Sequence, residues 1–403
     1  MTRRTTTRAL LGAAALLGLV TMSPAPSARA DAWCARPVWA HEWGVHVYAT
    51  DGAPVASFEG LPEWFHTGDT PSATVPPAVR NLPADSGMRR LPVVHFYSWD
   101  EASVPVAVEV GFTTGPASAW FPAVDTRRLA APANSEAARK ARAALADARL
   151  ERQAGRSTAA LPLDPTKQLV WDRLELTKAP AASAYRTDEP WITKARALPA
   201  RWVNRASESE RFVFYEAASA EPLPLRIRRA KGYAPGHRAY VLENRGAHAV
   251  HDVLLTHEER GESYVFGVET LPVGGQARFV LEGLVVEDRR AATWDRLRAA
   301  LTDGVFKAWP AVPYPTAGPC AMGRDPAIPV ERAEGHRLFA DEVELLLSYW
   351  GERFFDQPGT TVVWREDAAT LDAVMPLSIY TDMFHYVRLR RAGLALWEHV
   401  VLP

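Results

Sequence analysis

The predicted fold is decided by residues 239–281, whose sequence is AYVLENRGAHAVHDVLLTHEERGESYVFGVETLPVGGQARFVL. Short runs of β-branched and aromatic residues alternate in it with two turn sequences, ENRG at 243–246 and PVGG at 272–275. The predicted strands are 239–242, 250–256, 263–268 and 277–281. The segment therefore predicts antiparallel sheet and sets the expectation for the rest of the chain.

The strand pattern also occurs upstream of this segment. Valines occupy every second position from Val104 to Val110, as expected for one face of a strand. Further strands are predicted over 93–97, 169–176, 211–215 and 223–229.

Helical patterns occur in two places. Residues 341–355 carry apolar side chains at helical spacing, with Gly359 as the stop signal, and a second helix is predicted over 291–300. Short strands are expected at 361–364 and 386–389. An Ala- and Arg-rich stretch at 134–152 predicts an exposed helix, because it has few large apolar residues.

These elements predict a mainly β protein with an α+β C-terminal part. Its body would be a β-sandwich with a helical excursion and a C-terminal helix–strand segment. The predicted organisation is a signal peptide at 1–30, a β-rich region at 31–285 that contains the insertion near 134–152, and an α+β region at 286–403.

The first thirty residues predict export. Arg3, Arg4 and Arg8 precede an apolar run at 10–20, and the sequence Ser-Ala-Arg-Ala at 27–30 is a cleavage signal before Asp31. The run is shorter than the ~20 residues that span a bilayer, which favours a cleaved leader over an anchor. The twin arginines leave the Tat and Sec routes both open, and the destination is periplasmic or extracellular.

Charge and cysteine content limit the partners of the mature chain. Without the four arginines of the leader it has 42 basic and 47 acidic residues, a formal charge of −5, which argues against nucleic acid. No later apolar run reaches spanning length. Its two cysteines, Cys34 and Cys320, predict one disulfide in an oxidising compartment.

Short motifs spread over most of the mature chain resemble a group of exported bacterial proteins with a His-Glu-Trp-Gly-Thr-Phe opening. The motifs are His41 to Gly44, Pro92 to Ser98, Trp120 to Pro122, Arg211 to Tyr215, Trp350 to Val363 and Met375 to Ile379. Val45 and His46 depart from the pattern, where Thr and Phe would be usual. The resemblance implies a shared fold and export, and it transfers no catalytic residue.

Residues 239–281 also resemble bacterial immunoglobulin-like modules. The resemblance rests on the order of short strand, Asn-x-Gly turn, alternating strand and Pro-Gly turn. It implies a sandwich fold and carries no activity.

His41, Glu42 and His46 form the first candidate site. Imidazole and carboxylate groups bind zinc or act in catalysis, but helical zinc proteases need two histidines four residues apart, and here the spacing is five. On a strand, His41 and His46 would face opposite sides of the sheet. The alternative is a structural role, with Trp43 in the core and His41 and Glu42 hydrogen-bonded locally.

A second candidate site combines His248, His251, His257 and Glu258. On one strand His251 and His257 would share a face, and imidazoles in a hairpin bind borderline metals such as zinc or copper. The alternative is a set of solvated strand ends, and no cofactor is then expected.

Acidic and aromatic residues give two further hypotheses. A glycosidase would need two carboxylates in a cleft, for which the candidates are Glu42, Glu63, Asp69, Asp100 and Glu101. Trp39, Trp43, Trp64 and Phe65 would form either a sugar-stacking surface or ordinary sheet packing.

The predicted function is a non-catalytic binding or structural role in an exported, envelope-associated or secreted protein. A carbohydrate or another envelope component would be its partner. The alternative is a metal-assisted or carboxylate-dependent hydrolase of glycans or peptides, built around His41 and Glu42.

Overall fold

A computed structural model describes most of the chain after residue 35. The described residues are 36–48, 61–67, 87–112, 117–124, 168–218, 221–234, 236–282, 285–304, 308–309, 335–382 and 385–403. The predicted leader at 1–30, the helix at 134–152, Asp69 and the Cys34–Cys320 disulfide lie outside them.

The largest layer is a nine-stranded mixed sheet. From one edge to the other its strands are β13 (Glu262–Leu271), β12 (Val250–Glu259), β15 (Gly359–Glu366), β17 (His385–Trp397), β1 (Arg36–Tyr48), β3 (Gly87–Tyr97), β9 (Val213–Ala218), β5 (Ala117–Phe121) and β2 (His66–Thr67). β1 and β17 are parallel and pair without a break from Arg36–His385 to Tyr48–Trp397, and the other neighbours are antiparallel. Strands from both ends of the chain therefore meet at the centre of one sheet.

Two smaller antiparallel sheets cover one face of this sheet. The five-stranded sheet has the order β16 (Leu377–Thr381), β4 (Val104–Gly111), β6 (Gln168–Thr177), β7 (Trp202–Arg205) and β8 (Glu208–Glu210). The three-stranded sheet has the order β10 (Leu225–Arg229), β11 (Ala239–Asn244) and β14 (Gln276–Val280).

Helices cover the other face. They are α1 (Pro190–Ala197), α2 (Arg289–Leu301) and α3 (Ala340–Phe355), and a short α4 (Ala368–Val374) follows β15. The predicted apolar face of α3 is buried, with Leu346 and Phe354 fully inaccessible. The side chain of Asp288 caps α2 by accepting a hydrogen bond from the Ala291 amide at 2.8 Å.

β1 shows how the layers are joined. Trp39, Trp43, Val45 and Val47 pack into the helix-side core, whereas Val38 and Ala40 pack against the five-stranded sheet. A strand covered on both faces needs apolar residues at successive positions, which explains why β1 does not alternate in polarity. Truncation of Trp43, which is 1% exposed, to alanine would cost about 3–5 kcal/mol.

The prediction of a mainly β fold with helices is confirmed, but an immunoglobulin-like sandwich is not. The strands predicted in 239–281 form, with β11 and β14 in the three-stranded sheet and β12 and β13 in the nine-stranded sheet. The two pairs face each other across a shared core that includes Leu242, Leu255 and Phe279. The larger sheet continues well beyond this pair and contains the parallel β1–β17 contact.

No helix among the described residues combines the length and the apolar character needed to cross a membrane.

Candidate functional site

The His-Glu-Trp-Gly motif lies in the middle of β1, and its first two side chains point to opposite faces of the nine-stranded sheet. His41 contacts α3 on the helix side, and Glu42 contacts Arg391 and Tyr215 on the side of the small sheets. Trp43 belongs to the helix-side core. The motif therefore places two ionisable groups in separate buried environments.

His41 forms an ion pair with α3. Its Nδ1 donates a hydrogen bond to Oε2 of Glu342 at 2.7 Å, and both side chains are completely inaccessible to solvent. Burial alone would raise the pKa of Glu342, but the charge and the hydrogen bond of His41 hold that pKa below its ordinary value. The same carboxylate oxygen accepts the backbone N–H of Phe339 at 3.0 Å, which stabilises the first turn of α3.

Two further polar side chains lie beside this ion pair. His95 is the residue of β3 directly opposite His41, and its Nδ1 donates to the carbonyl of Arg211 at 3.1 Å. Burial lowers the pKa of His95, so its neutral form is favoured. Burial and the negative charge of Glu342 together raise the pKa of Tyr97 well above its ordinary value. This cluster is a set of buried groups inside the core, without access for a substrate.

Glu42 is held by a second network on the opposite face. It accepts hydrogen bonds from Tyr215 Oη, from Arg391 Nε and, at 3.2 Å, from Arg391 Nη2. Arg391 also donates to Asp372 Oδ1 at 3.0 Å and to the carbonyl of Met375 at 2.7 Å. Burial alone would lower the pKa of Arg391, but Glu42 and its other acidic neighbours outweigh burial and raise that pKa above its ordinary value, so the guanidinium stays charged.

A small cavity adjoins Glu42 and is lined in part by Gly44, Pro92, Leu371 and Gly393. It has room for about one water molecule. Glu42 therefore has no space beside it for a sugar ring or a peptide bond.

His46 lies on the same face as Glu42, farther along β1, and away from His41 as expected for a strand. Its Nδ1 is 3.6 Å from Oε2 of Glu221 and 3.6 Å from Oε1 of Glu366. The donor atoms of the three residues all lie within 4.8 Å of one another, the spacing of a metal site. This arrangement was not predicted in full, because only His46 was recognised in the sequence.

In the second candidate site, His251 and His257 do not come together. A bulge with Asp252 at φ 49° interrupts β12 between His251 and Leu254. His251 consequently faces Asp367, with Nε2 2.9 Å from Oδ2, whereas His257 faces Thr360, with Nδ1 2.9 Å from Oγ1. The expectation that His251 and His257 share a face is wrong, because the extra residue reverses the alternation between them.

The carboxylates proposed for glycoside hydrolysis do not form a pair in a cleft among the described residues. Asp100 is buried and bound to Arg36 and to His385, whose Nε2 is 3.0 Å away. Glu101 is exposed and pairs with Lys178, and Glu63 is exposed.

The candidate sugar-stacking aromatics are mostly internal. Trp39, Trp43 and Phe65 are between 1% and 6% exposed. Trp64 is partly exposed, and its ring stacks on Tyr185 with centroids 4.7 Å apart. Three of these four rings thus pack in the core and are not available to a ligand.

Sequence reasoning missed the partners of the motif. Glu342, Arg391 and Tyr215 are far from β1 in the chain, and no local pattern joins them to it. One signal was present for Glu342: it is the third residue of a strongly periodic helix, where a glutamate commonly caps the first turn.

Comparison with known proteins does not assign this chain to a family. No family model matches the sequence, and no curated protein matches it. Among solved structures, the Fcho1 Mu homology domain from Danio rerio with a bound Eps15 peptide aligns with 90% of this chain and 95% of that chain, at 7% identity and a TM-score of 0.29. A likeness at that TM-score supports no statement about fold or function.

Proposed function

We propose that the protein is exported and has a non-catalytic binding or structural role at the cell envelope or outside the cell. The observation that carries this proposal is the burial of His41 and Glu42, which are 0% and 3% exposed. Each is committed to a charged partner on another element, Glu342 or Arg391. The motif therefore stabilises the junction of the layers.

The same observation disfavours the alternative hydrolase. A general acid or base must come within hydrogen-bond reach of the substrate, directly or through one water. His41 is enclosed in the helix-side core, and the cavity beside Glu42 has room for about one water. A hydrolase built on these two residues would first have to open the core.

The binding surface that we propose is the outer face of the three-stranded sheet. Arg226 and Arg278 are exposed and Arg228 is half-buried, while Leu225 and Ile227, which alternate with the arginines of β10, face the core. An arginine-rich sheet face suits an anionic envelope glycan, because guanidinium groups pair well with carboxylate and phosphate. The resemblance of 239–281 to bacterial immunoglobulin-like modules also supports this proposal, since immunoglobulin-like sandwiches carry binding loops in many proteins.

Co-sedimentation with isolated cell-envelope glycan tests the binding role. The wild-type protein should sediment with the glycan, and the double variant Arg226→Glu/Arg278→Glu should remain in the supernatant. Arg260→Glu is the matched control, because Arg260 is 89% exposed but lies in the turn between β12 and β13. Equal sedimentation of all three proteins would refute the proposed surface.

Assays on glycan and peptide substrates test the absence of catalysis. We expect no turnover by the wild-type protein. Turnover that disappears in Glu42→Gln, with an unchanged circular dichroism spectrum, would establish the hydrolase instead.

A further inference from the structure

We infer that His46, Glu221 and Glu366 form a binding site for one divalent transition-metal ion, and that the site prefers zinc. The inference does not depend on the proposed envelope role. It rests on the distances between the three side chains, on the buried ring of His46, which has no hydrogen-bond partner within the described part of the chain, and on the room that Gly393 leaves beside Glu366.

The distances fit an ion better than a direct hydrogen bond. Nδ1 of His46 is 3.6 Å from a carboxylate oxygen of Glu221 and 3.6 Å from one of Glu366. Hydrogen bonds between nitrogen and oxygen are shorter, at 2.7–3.2 Å. Two ligands bound tetrahedrally to zinc at 2.0–2.1 Å lie about 3.3 Å apart, so a small inward shift of each group would complete the coordination.

The ring of His46 supplies an independent observation. His46 is 1% exposed, and neither of its ring nitrogens has a hydrogen-bond partner among the residues that the structure describes. A buried polar group without a partner costs roughly 1–3 kcal/mol. Its Nδ1 nevertheless points between two carboxylates, where a bound cation would satisfy it.

Glycine at position 393 leaves room for the carboxylate of Glu366. A Cβ atom there would lie 2.9 Å from Oε2 of Glu366 and 2.6 Å from Cδ2 of Leu371. Gly393 pairs with Gly44 in the β1–β17 register, so two small residues lie side by side next to the cluster. A side chain at position 393 would press on Glu366 and Leu371 and would displace the carboxylate.

The donor set indicates the kind of ion. One imidazole and two carboxylates match the nitrogen and oxygen ligands of zinc, and a three-residue site leaves a fourth position for water. Calcium and magnesium prefer sites made of oxygen alone. The side chain of Glu221 is 11% exposed, so the cluster reaches solvent on that side and an ion can enter.

The ion would join three parts of the chain. His46 belongs to β1, Glu366 ends β15, and Glu221 lies in the connection between β9 and β10. Since β10 begins the three-stranded sheet, zinc would tie that sheet to the centre of the nine-stranded sheet. We therefore expect the ion to stabilise the fold.

Titration of the chelator-treated protein with zinc chloride tests the site. Calorimetry should show one zinc ion per chain, and zinc should raise the melting temperature. His46→Gln and Glu366→Gln should each weaken zinc binding by about 100-fold or more, because loss of an outer-shell partner alone commonly costs 10–100-fold.

Two further variants make the result decisive. Glu221→Gln removes a ligand at the partly exposed side, so it should fold and still lose both the binding and the zinc-dependent rise in melting temperature. His257→Gln is the matched control and should bind zinc as the wild type does, because among the described carboxylates only Glu259, at 3.7 Å, pairs with His257. A wild-type protein that binds no zinc, undiminished binding in Glu221→Gln, or an equal loss in His257→Gln would overturn the inference.

Discussion

Glu42 and Arg391 are direct neighbours across the parallel strands β1 and β17, and the guanidinium of Arg391 donates to both carboxylate oxygens of Glu42. The two residues are separated by 349 positions in the chain and are 3% and 8% exposed. Tyr215 from β9 donates a third hydrogen bond to the same carboxylate. The motif residue Glu42 thus links the first strand, the last strand and the five-stranded-sheet side of the core.

Neutralising Glu42 should destabilise the protein strongly. Glu42→Gln leaves the buried charge of Arg391 without its main partner, and breaking a buried ion pair in this way costs about 3–5 kcal/mol. Urea unfolding followed by tryptophan fluorescence measures the free energy of unfolding.

The exposed ion pair between Glu101 and Lys178 is the control. Their side chains are 83% and 54% exposed, so Glu101→Gln should change the free energy of unfolding by less than about 1 kcal/mol. Equal effects of Glu101→Gln and Glu42→Gln would contradict the structural role of the motif.

Stability should fall as the pH drops below 6.5. Burial lowers the pKa of His95 in the folded protein, whereas in the unfolded chain it titrates near its ordinary value of 6.5. The unfolded chain then binds the proton more readily, so stability is fully present above pH 6.5 and is lost as the pH falls from there toward the lowered pKa. Urea unfolding between pH 8 and pH 5 should show the decline.

Replacement of His95 separates its contribution from that of other groups. His95→Gln should reduce the decline without abolishing it, because burial also lowers the pKa of the half-buried His257. Glu342 does not interfere, since its pKa lies below 4.5. An unchanged pH dependence in His95→Gln would show that His95 does not contribute.

A methyl group at position 393 should destabilise the protein, because Leu371 and Glu366, which it would contact, are buried and have little room to shift. Gly393→Ala places Cβ 2.6 Å from Leu371 and 2.9 Å from Glu366, and overpacking of this kind costs about 1–3 kcal/mol. Gly304→Ala is the control, because a Cβ there meets no atom of the described residues within 4 Å, and it should change stability by no more than about 0.5 kcal/mol. Thermal unfolding of the two variants compares them directly.

Mass spectrometry of the secreted protein tests the predicted processing. The first residue should be Asp31, and a non-reducing peptide map should link Cys34 to Cys320. An intact leader would contradict the cleavage site, and two alkylated thiols would contradict the disulfide.

Local elements were predictable because their signals are periodic. The helix predicted over 341–355 is observed as Ala340–Phe355, and the strand predicted over 169–176 is observed as Gln168–Thr177. The short α1 was missed, although Pro190 at its first position is a known start signal.

The sheet order and the site partners were not predictable, because they depend on contacts distant in sequence. Nothing local in β1 indicates that β17 will be its parallel neighbour or that Arg391 will face Glu42. The bulge at Asp252 was not predicted from the sequence either. One residue at positive φ reverses the faces of every side chain beyond it in β12, including His257. Sequence alone therefore identified His46 but not Glu221 or Glu366.

The pairing of β1 with β17 also determines when the nine-stranded sheet can be completed during folding. The central ladder of the nine-stranded sheet cannot close until β17 (His385–Trp397) has been synthesised, because β17 is one of its two strands. Contacts that span nearly the whole chain form slowly, since loop closure must precede them. A premature stop before residue 385 would therefore leave the sheet in two parts with unpaired edges, β13–β12–β15 on one side and β1–β3–β9–β5–β2 on the other.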